Sequence, residues 1–338
     1  MKKVYAVNNN ENTRCVFNTL DMLDIEYTKL ESIDEYIDDV DNVLVCSTLG
    51  LHNHYDQREI ISEKFENYKS NVVVISDDVG FGSTELGKVS FLTPEFEEKD
   101  LLGDEEILFF DYTLIHLVKK TTKSIPYDLF ELMEPHFKEP FLRTKHFLTM
   151  NRFMKKHREY LRRFLDENNF LDKGYCSFLE VSSGEPIVLD NQLEEHRLSV
   201  QDPLLPNYVK FFDSYFSIVT ESTFGRKESG FYFSEKTWKP VRMFHPFLIV
   251  GKPKIHQLFK LLGFEYYDIF NYKFDNVLDD NKRIELLFDE LKKMIEKPIT
   301  EVRDLYCNES TIERMKHNYN HAQKLVDKQL DTLRRLLK

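Results

Sequence analysis

Along the first third of the chain, short apolar runs alternate with helical patterns of apolar positions, the grammar of strand–helix–strand units on a parallel sheet. Lys3 to Val7 reads as a strand and Thr13 to Leu23 as a helix, with apolar residues at Cys15, Val16, Leu20 and Leu23. Val43 to Cys46 is a second strand and Arg58 to Tyr68 a second helix; Val72 to Ile75 is a third, fully buried strand ending in Ser76-Asp77-Asp78. An acidic stretch from Glu95 to Glu106 and a helix from Phe109 to Lys119 follow, and Pro126, Pro135 and Pro140 punctuate an interlobe segment. The same grammar restarts at Lys145. A strand runs to Asn151-Arg152, and a basic amphipathic helix with apolar Leu161, Phe164 and Leu165 follows it. Tyr215 to Val219 is a strand that hands over to a loop at Thr220-Glu221, and Phe244 to Gly251 is a short buried strand closed by a glycine. From Asn281 onward the pattern is helical and charged, as in helices that pack back across an α/β core.

The candidate chemistry lies between those last two strands. Ser234 is a good N-cap, and Glu235-Lys236-Thr237-Trp238-Lys239 opens a helix whose N–H groups and dipole favour an anion. A charged pair next to the one tryptophan of the chain, wedged between buried-looking strands, reads as a ligand site. The plainer reading is an ordinary solvated first turn. Arg158 lies on a helix rich in Lys and Arg, which is either a phosphate grip or a solvated basic face. Glu221 is either a ligand contact or a local cap or partner of Arg226 or Lys227.

The order of these elements resembles the donor-binding half of the GT-B glycosyltransferases, and the α-1,3-fucosyltransferase family most closely. Thr220-Glu221-Ser222 matches that family's Glu turn, Tyr232-Phe233-Ser234-Glu235-Lys236 its Tyr-x-Thr-Glu-Lys element, and Pro246 to Gly251 its Pro-led strand. Asn151 and Arg158 match its strand-ending Asn and the phosphate-pairing Arg that follows. Ser222 departs from the family's Asn, and Gly225 to Gly230 looks like an insertion. The resemblance implies an α/β fold of two Rossmann-like lobes with C-terminal helices packing across: an acceptor lobe at 1–140, a nucleotide-sugar donor lobe at 141–280 and helices at 281–338. It implies donor binding by Asn151, Arg158, Glu221, Tyr232, Ser234 and Lys236, with Lys236 near the diphosphate and Glu235 near the sugar. Glu235, Lys236, Asp77 and Asp78 are the catalytic candidates, with His52 a further candidate for the base.

Composition narrows the setting. In 338 residues, 41% hydrophobic with 28 Phe and 17 Tyr, there is material for two cores and little for extended disorder. A net charge of −12 weighs against a broad, sequence-independent grip on nucleic acid, while leaving room for a local basic patch. Cys15, Cys46, Cys176 and Cys307 have no C-x-x-C spacing, so neither a structural zinc site nor a disulfide framework is indicated. The N-terminus carries no signal-peptide core and no apolar run is long enough to span a bilayer, so the expectation is a cytoplasmic protein; the resemblance then implies one like the soluble fucosyltransferases of bacteria or their viruses rather than the membrane-anchored eukaryotic ones. Gly82 to Lys88 has P-loop spacing, but Val89 stands where Ser or Thr is needed, and SFLTP reads extended where a helix should follow.

The function expected is transfer of a hexosyl or pentosyl unit from a nucleoside diphosphate to an acceptor hydroxyl. By resemblance it is inverting and needs no metal, Lys236 and Arg158 supplying the positive charge. The acceptor is a glycan, a protein or a hydroxymethylated DNA base; the last would call on Arg58 and Lys64 for a groove. The alternatives are a non-catalytic nucleotide- or glycan-binding protein of the same fold and, from the Gly82 loop, a magnesium-dependent phosphotransferase.

Overall fold

The computed structural model describes residues 2–7, 15–47, 65, 67–75, 84–86, 89–92, 111, 114–119, 129–138, 141–152, 154–179, 185–187, 208–225, 231 and 233–338. The chain forms two compact units. One comprises Met1–Lys119, Ser229–Tyr232 and Gln323–Lys338, the other Lys120–Glu228 and Phe233–Ala322. The expected first boundary, after residue 140, compares with a division after Lys119.

The first unit holds β1 (Lys3–Val7), α1 (Cys15–Met22), β2 (Tyr27–Leu30), β3 (Asn42–Ser47), β4 (Asn71–Ile75), β5 (Thr84–Leu86), β6 (Val89–Leu92) and a helix α2 at 114–119. Its sheet runs β2-β1-β3-β4-β6-β5, parallel throughout except for the β5–β6 pair at the edge. The β-branched runs of β3 and β4 occupy its middle, where both faces are covered, and Val7, Leu44, Cys46, Val72 and Val74 pack with Leu30 and Phe65. The P-loop spacing is a decoy, as its sequence suggested: Thr84–Leu86 and Val89–Leu92 are paired antiparallel strands, so a strand stands directly after the lysine where a P-loop needs its helix.

The second unit contains α3 (Leu129–Lys138), β7 (Lys145–Asn151), α4 (Lys156–Glu167), β8 (Gly174–Phe178), α5 (Tyr208–Phe212), β9 (Ser214–Thr220), α6 (Glu235–Arg242), β10 (Phe247–Val250) and α7 (Ile255–Leu261). Its sheet is wholly parallel, in the order β10-β9-β7-β8. The chain passes from β7 to β8 on one side and then returns to β9 on the other, so strand order reverses between β7 and β9. In such sheets ligands bind beyond the carboxyl ends of the two strands at the reversal. Gly174 opens β8 because the Phe147 ring lies over it; a Cβ there would come within 2.3 Å of that ring.

Three helices follow: α8 (Asp280–Ile295), α9 (Ile299–Tyr306) and α10 (Glu309–Leu336). Of these, α9 packs on β7 and β9, and the last helix contributes its residues from Gln323 onward to the first unit. The expected fold class, two Rossmann-like lobes of parallel sheet with C-terminal helices, is the one observed. Two local expectations need correction. Pro135 lies inside α3 rather than in a connector, in a helix anchored by buried Met133 and Phe137. The strand expected from Phe244 starts at Phe247, because α6 runs on to Arg242 and the reversal occupies Phe244, at φ 50°, and His245, whose N–H donates to Pro240 O at 3.0 Å.

Candidate functional site

Three parallel strands end side by side in the second unit, and each contributes a polar side chain at or near its carboxyl end. Asn151 closes β7, Ser177 lies near the end of β8 and Thr220 closes β9. Thr220 Oγ1 donates to Asn151 Oδ1, Asn151 Nδ2 donates to Thr149 Oγ1 at 3.2 Å, and the Asn151 N–H donates to Ser177 Oγ at 3.2 Å. Asn151 is thus fixed from both sides, as a strand-end residue at a ligand crevice requires.

A cleft of about 440 Å³ opens above these ends. Leu148, Met150, Leu179, Phe211 and Pro240 give it an apolar wall. Among the described residues its charged lining is one-sided: Arg152, Lys155, Arg158, Lys236 and Lys239 are cationic, and Glu235 is the one carboxylate. In a protein of net charge −12 this clustering runs against the average.

Two helices carry three of those cations, Arg158, Lys236 and Lys239. From α4, Arg158 reaches under the strand ends, where its Nη2 donates to Thr220 O at 3.2 Å and Glu221 O at 3.4 Å. Burial lowers the pKa of this guanidinium, and the charges of Glu221 and Glu235 work against that fall; an Arg remains a cation either way. Lys155, just before the helix, donates from Nζ to Ser222 O at 2.6 Å. From α6, Lys236 Nζ pairs with Glu235 Oε1 at 2.8 Å, both side chains about a quarter exposed. Burial pushes the Glu235 carboxyl up, but the charge and hydrogen bond of Lys236, with the charge of Lys239, outweigh it and leave its pKa below the ordinary value.

The N-cap is as expected: Ser234 Oγ accepts from Lys236 N at 3.3 Å. The first-turn amides are therefore partly taken up within the helix, and the positive character of the cleft resides in side chains. Glu221 is fully buried and does not line the cleft. Its Oε1 accepts from Ser234 N at 3.0 Å and from Thr237 Oγ1, and its Oε2 from Ser222 N at 3.3 Å. Burial raises its pKa, against the lowering effects of Lys236 and these hydrogen bonds.

The structure thus brings Asn151, Arg158, Glu235 and Lys236 together on one cleft, with Ser234 and Glu221 behind it. Asp77, Asp78, His52, Arg58, Lys64 and Tyr232 lie outside the described residues. One residue of the basic helix α4 adds no charge to the cleft at neutral pH. His157 is buried, stacked on Phe224 with centroids 5.2 Å apart, and its pKa falls to about 4, chiefly through burial. Its Nε2–H donates to Glu221 O at 2.9 Å. Ser177 and Lys239 line the cleft as well, beyond the site residues expected from the sequence. Lys239 had a signal, since it stands three residues after Lys236 and so shares its face of the helix. Among the described residues no group of three or more His, Cys, Asp or Glu could hold a metal ion, and no helix is long and apolar enough to cross a membrane.

No protein-family model and no curated protein matches the chain. Among solved structures, a crystal structure of an α1,3-fucosyltransferase shares 12% identity, covering 89% of this chain and 80% of that one, with a TM-score of 0.43. T4 phage BGT in complex with its UDP-glucose substrate shares 11% identity, covering 99% of each chain, with a TM-score of 0.37.

Proposed function

We propose that this chain binds a nucleoside diphosphate sugar in the cleft at the ends of β7, β8 and β9 and transfers the sugar to an acceptor hydroxyl. The observation that carries the reading is the lining: among the described residues, five cationic side chains and one carboxylate over a parallel-sheet reversal point. A diphosphate offers the acceptors that such a set of donors requires, and the apolar wall suits the face of a base or sugar. Arg158 and Lys236 would hold the diphosphate and stabilise the charge it gains as leaving group, which is the work a metal does in other phosphate sites. Glu235 would accept a hydrogen bond from a donor hydroxyl once the diphosphate competes for Lys236. For the proton of the attacking hydroxyl, the reading keeps Asp77, Asp78 and His52 as candidate bases. Acceptors that fit are a glycan, a protein hydroxyl or a hydroxymethylated base.

The test is calorimetric titration with a panel of nucleoside diphosphates, each with EDTA and with magnesium, followed by assay of the matching nucleotide sugars for release of the diphosphate. Binding of one diphosphate unaffected by EDTA, with release from its sugar, is expected. Binding without release would leave a nucleotide-binding protein, and no binding by any diphosphate would overturn the reading.

A further inference from the structure

Glu221 is a carboxylate with 0% exposure at the end of β9, one residue from the cleft wall yet not part of it. An isolated buried charge is expensive, so what surrounds it shows what holds it there. Its side chain accepts from the turn at Ser222 N, from the N-cap residue at Ser234 N, and from the first turn of α6 at Thr237 Oγ1. Its main chain is held as firmly: its N–H donates to Val250 O of β10 at 3.2 Å, and its carbonyl accepts from His157 Nε2 and Arg158 Nη2 of α4. One residue therefore ties together β9, β10, α4 and α6. The cleft cations Arg158 and Lys236 are carried by the two helices that meet at it.

We infer that Glu221 is a positioning residue, which clamps the first turn of α6 to the end of β9 and so sets Lys236 against Arg158 across the cleft without touching the ligand. This rests on the anion-binding reading of the cleft. Thr237 is the other half of the clamp; it is fully buried, does not line the cleft, and meets Glu221 from the far side of α6.

The test uses inorganic pyrophosphate as the probe, titrated well below the melting temperature of each protein. Wild type, E221A, E221Q, T237V and the E221Q/T237V double variant are compared, with peptide-level hydrogen exchange over residues 233–242. E221A should weaken binding by about 10-fold or more and speed exchange in the first turn of α6. E221Q keeps an oxygen for Ser234 N and Thr237 Oγ1 and should recover most of the affinity. T237V should weaken binding although it touches no ligand, and the double variant should lose less than the product of the two single losses, because both act on one clamp.

Equal loss in E221A and E221Q with T237V like wild type would mean direct contact with the ligand and overturn the inference. So would unchanged affinity in every variant with only the melting temperature lowered. If the wild type itself fails to bind pyrophosphate and every nucleoside diphosphate, the functional reading falls, and the clamp has no anion site to position.

Discussion

Two buried carboxylates in the second unit do the same local job with different consequences. Asp275 accepts from His256 N at 3.2 Å, Gln257 N at 2.9 Å and His256 Nδ1 at 2.9 Å, and so holds the start of α7. Glu221 holds the start of α6 in the same manner. The His256 ring is fixed at both ends, because its Nε2 accepts from Ile249 N at 2.9 Å, so that Nδ1 carries the proton donated to Asp275. Around Asp275 the helix presents nothing to the cleft: no α7 residue lines it. Around Glu221 the helix presents Glu235, Lys236 and Lys239 to it. Burial and hydrogen bonding alone thus do not mark a functional carboxylate. What distinguishes the two is what the clamped helix carries on its other face.

The sharpest way to break this contrast is D275A. It leaves the buried N–H and Nδ1–H of His256 without their acceptor, at about 1–3 kcal/mol each, so the urea midpoint should fall furthest here, while diphosphate affinity of the folded protein stays at the wild-type value. Loss of affinity as well would place α7 in the functional machinery. K236A should behave in the opposite way. Its ion pair with Glu235 is partly solvated and adds little to folding, but loss of a charged hydrogen bond to ligand should weaken binding by about 10- to 100-fold, or about 1.5–3 kcal/mol, by calorimetry. K239A, one turn along the same face, should cost less, about 3- to 10-fold, because it removes one charge from a set of five.

The pH dependence is the smallest effect and separates the surroundings of the two clamps. His157, which grips the Glu221 carbonyl, has a folded pKa of about 4 against an ordinary 6.5. Between those values the unfolded chain binds the proton and the folded one does not, so stability is full above about 6.5 and falls as the pH drops toward about 4. Buried His245, lowered to about 3, adds a fall of the same sign. Glu221 acts oppositely: its raised pKa means that its ionised form costs stability, and the cost is relieved as the pH falls through that value. H157Q keeps a donor for Glu221 O and removes one titration, so urea unfolding measured across this range should show a shallower acid slope.

Much of the site was legible because it follows from local chemistry. A strand ending at Asn151, the handover at Thr220-Glu221, and a helix capped by Ser234 with Glu235 and Lys236 in its first turn all stand where the sequence put them. What could not be read depends on distance along the chain. Glu221 meets partners 13 and 16 residues on, and the turn after it is held by Arg283, whose Nη2 donates to Phe224 O at 2.8 Å from 59 residues away. Either reading of Glu221, ligand contact or local cap, was open until those partners were seen. β8 escaped because GYCSF is short and starts with glycine, so neither length nor periodicity marks it; what makes it a strand is its pairing with β7. His157 stands in a basic run, and it is its burial against Phe224, invisible in the sequence, that moves its titration down to about 4.

The helix α10, divided between the two units, bears on how the protein is made. The first unit includes Gln323–Lys338, and within it the buried N–H of Asp111 donates to Gln329 Oε1 at 2.8 Å. On the ribosome, residues 1–119 emerge before any of the second unit, yet their partner segment emerges after all of it. The lobe that is translated first is therefore the last to be completed, and until synthesis passes Gln323 it must wait with the amide of Asp111 lacking its partner.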